Sequence, residues 1–159
     1  MLGLVAAALV LQTTLARFLV RGSIGVDLVL VAVVFLSLRT GPVPGILSGT
    51  VAGLAQDALT TGIVGIGGLG KSVVGYLAGT IGRAFIVAQP LPRFLVFFAA
   101  TILEMTIITL FHLVLEPGPQ AVPVGAIVAQ AFGNSLVGVV LFQIAESVPR
   151  ALERRRAGR

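Results

Sequence analysis

Glu104 stands near the centre of a long apolar stretch, Phe94 to Leu115, in a chain that is apolar almost throughout. If that stretch crosses a bilayer, the carboxylate meets no water, and a group inside the protein must receive it. Asn134 is the natural candidate. It lies near the midpoint of the following apolar segment, with Gln130 one turn away on the same side, and Thr101 is one turn from Glu104. A side-chain amide is a suitable donor to a membrane carboxyl, so the spacing predicts a buried Glu104–Asn134 hydrogen bond. The competing chemistry is a proton or cation relay, the default reading of an acid inside a membrane. A relay needs more ionisable groups along a path, and only His112, two turns further on, extends one. A channel built on Glu104 and His112 explains the acid but leaves the other features without a role. His112 and Glu116, spaced four apart, read as an interfacial hydrogen-bonded pair. With one His and no Cys in the chain, no metal site is expected.

Asp57 and Lys71 flank a glycine-rich turn that contains Gly62, Gly65, Gly67, Gly68 and Gly70. Each lies about one turn from the end of its helix, so antiparallel packing brings them to similar depth. An ion pair closing the turn is expected, because charges in membranes usually pair; the functional alternative is a polar group lining a small outward cavity. Gly65-x4-Gly70-Lys71-Ser72 also satisfies the letters of a phosphate-binding loop. No strand precedes it and membrane helices flank it, so the βα context that gives that motif its chemistry is missing. No nucleophile–base–acid set and no dinucleotide fingerprint can be assembled. The chain reads as a non-enzyme without cofactor.

The elements that hold these residues follow from composition. Of 159 residues, 57% are hydrophobic and 11% charged, and the mean hydropathy is +1.07, against roughly 45–50% and about 25% in soluble domains. Six apolar segments are separated by Gly, Pro and charged punctuation: Leu2–Val20, Val26–Leu38, Val43–Leu59, Leu69–Val87, Phe94–Leu115 and Val122–Ala145. The first lacks the basic start of a signal peptide and reads as a retained helix. The fold predicted is all-α, a compact bundle of six transmembrane helices over 1–149 with a basic cytoplasmic tail at 150–159. With both ends inside, the cytoplasmic face carries Arg39, Arg83, Arg93, Arg150, Arg154, Arg155, Arg156 and Arg159, and the other face only Arg17, Arg21 and Lys71. That asymmetry, rather than nucleic acid, accounts for a pI of 11.4. The Arg-rich tail anchors on anionic lipid.

Gly45, Gly49 and Gly53 form a ladder that Asp57 continues, and Gly75, Gly79 and Gly82 repeat the device on the next helix. Such glycines let backbones approach closely where lipid supplies no hydrophobic drive. The two helices are expected to pack on each other, with a dimer interface as the alternative.

Taken in order, these features resemble the rod shape-determining MreD family. The residues that carry the resemblance are Gln12-Thr13-Thr14 at the end of the first helix and Val26-Asp27-Leu28 with its run to Arg39-Thr40-Gly41. Gly49 to Asp57 with Gly53-Leu54, Gly65 to Leu69, and Gly75-Tyr76-Leu77-Ala78-Gly79 follow. Val26 stands where the family often has Pro. The resemblance implies a non-enzymatic protein of the bacterial inner membrane that binds MreC and works with the MreB filament and the RodA–penicillin-binding protein 2 synthase. A second class is the substrate-binding subunit of an energy-coupling-factor vitamin transporter, also a small six-helix protein. Against it, Gly3 and Ala7 only approximate its AxxxA docking motif, and the chain has one Tyr and no Trp to build a pocket. Reporter fusions at each end should both report the cytoplasm; ends on opposite sides would contradict the six-span arrangement.

Overall fold

Five helices make up the described chain: α1 (Leu28–Thr40), α2 (Pro42–Ala58), α3 (Ile66–Ala84), α4 (Pro90–Leu115) and α5 (Val124–Ala157). The computed structural model describes residues 10, 25–60, 64–84, 89–115 and 123–157, excepting the side chains of 148–157. No strand occurs among the described residues. The apolar segment Leu2–Val20 lies outside them apart from Val10, as do Arg17, Arg21, Gly62, Glu116 and Arg159.

α1 is the centre of the bundle and touches all four other helices. Every residue from Val29 to Leu38 is buried, as a helix that is apolar all round must be. At 13 residues it is about 20 Å long, short of the roughly 30 Å hydrocarbon thickness. It covers nearly the bounds expected for the second segment, Val26–Leu38, and the other helices enclose it. Asp27 starts it, accepting the Leu30 N–H at 2.9 Å. Gly41 ends it at φ +99°, a conformation suited to glycine, while its N–H bonds the Ser37 carbonyl at 2.8 Å.

Proline opens two of the helices rather than separating them. Pro42 and Pro44 lie in the first turn of α2, and Pro90 and Pro92 in the first turn of α4, where a missing N–H forfeits no helical bond. α4 thus begins a turn before Phe94 and takes in Arg93. α3 likewise begins at Ile66, so Gly67, Gly68 and Gly70 are helical and buried instead of forming a flexible turn. At the other end, α5 continues through Pro149 to Ala157, so the basic segment prolongs the helix rather than following it.

α2 and α3 meet along a glycine seam. A methyl on Gly45 would overlap the Gly75 carbonyl, one on Gly49 the Lys71 carbonyl, and one on Gly53 the backbone of Gly67 and Gly68. Gly79 faces Gly41 and Pro42 in the same way, and Gly82 faces Leu38. Thr50 and Ser72 close the seam with a 2.7 Å hydroxyl contact. On the other side, Leu30, Val34, Phe35 and Leu38 of α1 pack with Val74, Phe97 and Phe142, and Gly138 leaves room for the Phe97 ring.

The outer surface is apolar. Val43, Leu47 and Val51 on α2, Leu69 and Leu77 on α3, and Leu95, Leu110 and Leu113 on α4 are exposed. Pro90–Leu115 and Val124–Ser147 are long and apolar enough to cross a membrane, yet only 22% of each apolar window is buried. A core helix of a soluble protein would show the reverse. Gly49→Ala should lower the unfolding temperature in detergent, reflecting about 1–3 kcal/mol of overpacking, while Gly125→Ala, where the added carbon meets nothing, should not. Equal behaviour of the two variants would show that the seam does not hold α2 against α3.

Candidate functional site

The chain's single lysine organises its buried polar groups. Lys71 sits one turn into α3 and points inward between two carboxylates. Its Nζ lies 2.9 Å from Asp27 Oδ2 at the head of α1 and donates as well to Glu104 Oε1 at the middle of α4. Lys71, Asp27 and Glu104 are 2%, 6% and 0% exposed, so water contributes almost nothing to their neutralisation. The network extends into α5. Asn134 Oδ1 accepts the Asp27 N–H at 2.8 Å, and Asn134 Nδ2 donates to Thr101 Oγ1 at 3.0 Å. Thr101 in turn donates to the Phe97 carbonyl at 2.9 Å. Four helices are therefore tied through one chain of contacts.

Two sequence expectations are corrected here. Asp57 does not pair with Lys71. Its Oδ2 accepts the Gly65 N–H at 2.8 Å and the Gly68 N–H at 3.2 Å, and so caps the start of α3, where unpaired N–H groups and the helix dipole favour a carboxylate. Lys71 is turned the other way, toward α1 and α4. Nor does Glu104 bond Asn134: the lysine takes the carboxylate, and the amide serves the Asp27 backbone and Thr101. An ammonium outcompetes a neutral amide for a carboxylate where no water screens it. The same geometry removes the phosphate-loop resemblance, since Gly67–Gly70 are helical and Lys71 is held by acids.

Asp27 is the site residue that the spacing of polar groups did not single out. The signal was present: an acid immediately before a wholly apolar run is a helix N-cap, and its depth then matches that of Lys71. Arg93, which the apolar segments leave in a connection before Phe94, is likewise part of the helical bundle. It is buried, paired with Glu146 through both terminal guanidinium nitrogens and stacked 4.5 Å from the Phe142 ring centre, with Arg39 over the Phe35 ring at 5.1 Å. His112 bonds the Ile108 carbonyl at 2.8 Å; its expected partner Glu116 is outside the described residues.

Above the triad opens a cavity of about 330 Å³ whose polar wall is Asp27, Gln56, Asp57, Thr60, Lys71, His112 and Gln130. Among the described residues no three His, Cys, Asp or Glu side chains converge as a metal site. Chemically, the arrangement can hold charge and bind a polar group.

The family model described as rod shape-determining protein MreD matches residues 1–143 of the chain. No curated protein and no solved structure matches it.

Lys71→Met leaves two buried carboxylates without their cation, and should cost about 3–5 kcal/mol, read as a loss of folded protein after detergent extraction. Combining it with Asp27→Asn and Glu104→Gln should restore much of the yield, whereas combining it with Asp57→Asn should not. Rescue by Asp57→Asn would reinstate the rejected pair.

Proposed function

The chain belongs to the MreD family of rod shape-determining proteins, and from that premise we propose that it is a non-enzymatic scaffold of the elongation complex. In this reading it is a multi-pass protein of the bacterial inner membrane with both termini in the cytoplasm. It binds MreC and, directly or through MreC, serves the MreB filament and the RodA–penicillin-binding protein 2 synthase, so supporting lateral peptidoglycan synthesis. Its other partners are membrane lipids, not nucleic acid.

The family match over 1–143 carries the proposal. Three features of the structure support it. Exposed apolar residues on α2, α3 and α4 suit lipid and partner helices. Arg39, Arg83 and Arg93 lie toward the end of the bundle opposite Asp27 and Asp57, as a protein with its basic end in the cytoplasm would have them. The buried ionisable groups are spent on one another, Lys71 on Asp27 and Glu104, Arg93 on Glu146, which suits a structural part better than a catalytic one. The family match also weighs against the vitamin-transporter reading.

Depleting the protein from its rod-shaped host should round the cells, and a tagged copy should retain MreC through purification. Cells that stay rod-shaped, with no MreC retained and a vitamin carried through purification instead, would overturn the proposal.

A further inference from the structure

The hydroxyl groups of α2 and α3 divide into two kinds. Ser48 donates to the Gly45 carbonyl at 3.1 Å, Thr50 to Ile46 at 2.9 Å, Ser72 to Gly68 at 2.6 Å and Thr80 to Tyr76 at 2.9 Å. Each commits its hydrogen to its own helix, as short hydroxyl side chains in apolar surroundings can. Tyr76 differs. A phenol cannot close such a bond within its own turn, and this one bonds no group among the described residues. The chain's single tyrosine is instead 48% exposed on the outer surface.

Its depth makes that exposure unfavourable. α3 has 19 residues, about 28 Å of helix, close to the roughly 30 Å of hydrocarbon in a bilayer. Tyr76 is eight residues from Ala84 and ten from Ile66, so about 12 Å or more of helix separates it from either end. Membrane tyrosines gather at the interfaces, where the ring lies in lipid and the hydroxyl meets water. Here neither water nor a headgroup is within reach of a phenol, and a donor left unmet in hydrocarbon is destabilising.

The residues around it supply the rest of a docking surface. Leu69, Val73, Tyr76 and Thr80 share one face of α3, and Ile46, Thr50 and Leu54 one face of α2. All but Thr50 are exposed. The 2.7 Å Thr50–Ser72 contact sets the two rows side by side and leaves no hydroxyl hydrogen over. The surface therefore asks for apolar contact and one hydrogen-bond acceptor at the level of Tyr76. A lipid acyl chain supplies the first and lacks the second. A second copy, related by an axis along the bilayer normal, brings Tyr76 against Tyr76, one hydrogen bond for two donors. A helix of a different protein can meet both demands.

We infer that the lipid-facing surface of α2 and α3 around Tyr76 docks a single transmembrane helix of a partner, which presents a Ser, Thr, Asn or Gln oxygen to the Tyr76 hydroxyl. The inference deepens the scaffold reading and rests on it, since MreC is the membrane partner there.

The test measures binding of MreC to the full chain in liposomes, by energy transfer between the labelled proteins. Tyr76→Phe removes only the hydroxyl. It should leave the unfolding temperature of the chain unchanged, because that group makes no bond within it, and weaken MreC about three- to tenfold. Thr80→Val, on the same face, should leave the affinity unchanged, its hydroxyl being committed to its own helix. In cells, p-benzoylphenylalanine in place of Val73 should crosslink to MreC, and in place of Leu136, exposed on α5, should not. MreC binding that is equal in Tyr76→Phe, or crosslinking from position 136 and not from 73, would overturn the inference and leave the scaffold reading intact. So would crosslinking from position 73 to a second copy of the chain alone. A chain that binds no MreC even without substitution would overturn both.

Discussion

An ammonium group held between two carboxylates, inside a bundle whose outer surface is apolar, sets the terms for the rest of this structure. Lys71 cannot be solvated where it lies, and neither can Glu104, so each has to find the other as the helices pack. Asp27 adds the second acid and caps the central helix with its other oxygen. The result fixes the rotation of α3 about its own axis, the register of α4 against it, and the height of α1 between them. Removing water makes such contacts strong when complete and expensive when incomplete, so the triad selects one arrangement of helices over its neighbours.

The glycine seam and the triad depend on one another. With α2 and α3 in backbone contact at Gly49 and Lys71, there is room on that face only for a side chain as small as Ser72, and the lysine is directed to the opposite side, toward α1 and α4. Close packing alone leaves rotation about the helix axis poorly defined, because small residues present little shape to interlock. A directional ion network supplies what the glycines lack. α5 joins through Asn134, which reads the Asp27 backbone rather than a charge. At the far end, Arg93, Glu146 and the Phe35–Phe142 pair hold α1, α4 and α5 together by a second polar–aromatic contact. Polar clusters thus clamp the bundle at both ends of α1.

Much of this was legible in the residues. The glycine spacing points to the face on which α2 and α3 meet, and the Gly and Pro punctuation places the ends of the described helices to within about a turn, except that α5 runs about three turns beyond Ala145. The errors share one cause. Reading along the chain pairs each element with its sequence neighbour, Lys71 with Asp57 across the α2–α3 turn and Glu104 with Asn134 across the α4–α5 connection. The structure threads α1 through the middle, and this brings Asp27 to Lys71 over a separation of 44 residues. Nothing in local periodicity announces which helix the others enclose, apart from this 13-residue segment being apolar all round. The run of glycines reads as a loose turn, whereas Gly67, Gly68 and Gly70 are helical and Asp57 caps the helix they open.

The single lysine makes the central contact directly measurable. Solid-state nuclear magnetic resonance of the protein in lipid, with ¹⁵N in lysine and ¹³C in the carboxyl groups of Asp and Glu, reads dipolar coupling from one nitrogen to its nearest acids. The account predicts strong coupling of Lys71 Nζ to one glutamate and one aspartate carboxyl. Glu104→Gln should abolish the first, and Asp57→Asn should leave the second untouched. Coupling to aspartate that vanishes with Asp57→Asn, or no coupling to glutamate at all, would contradict it.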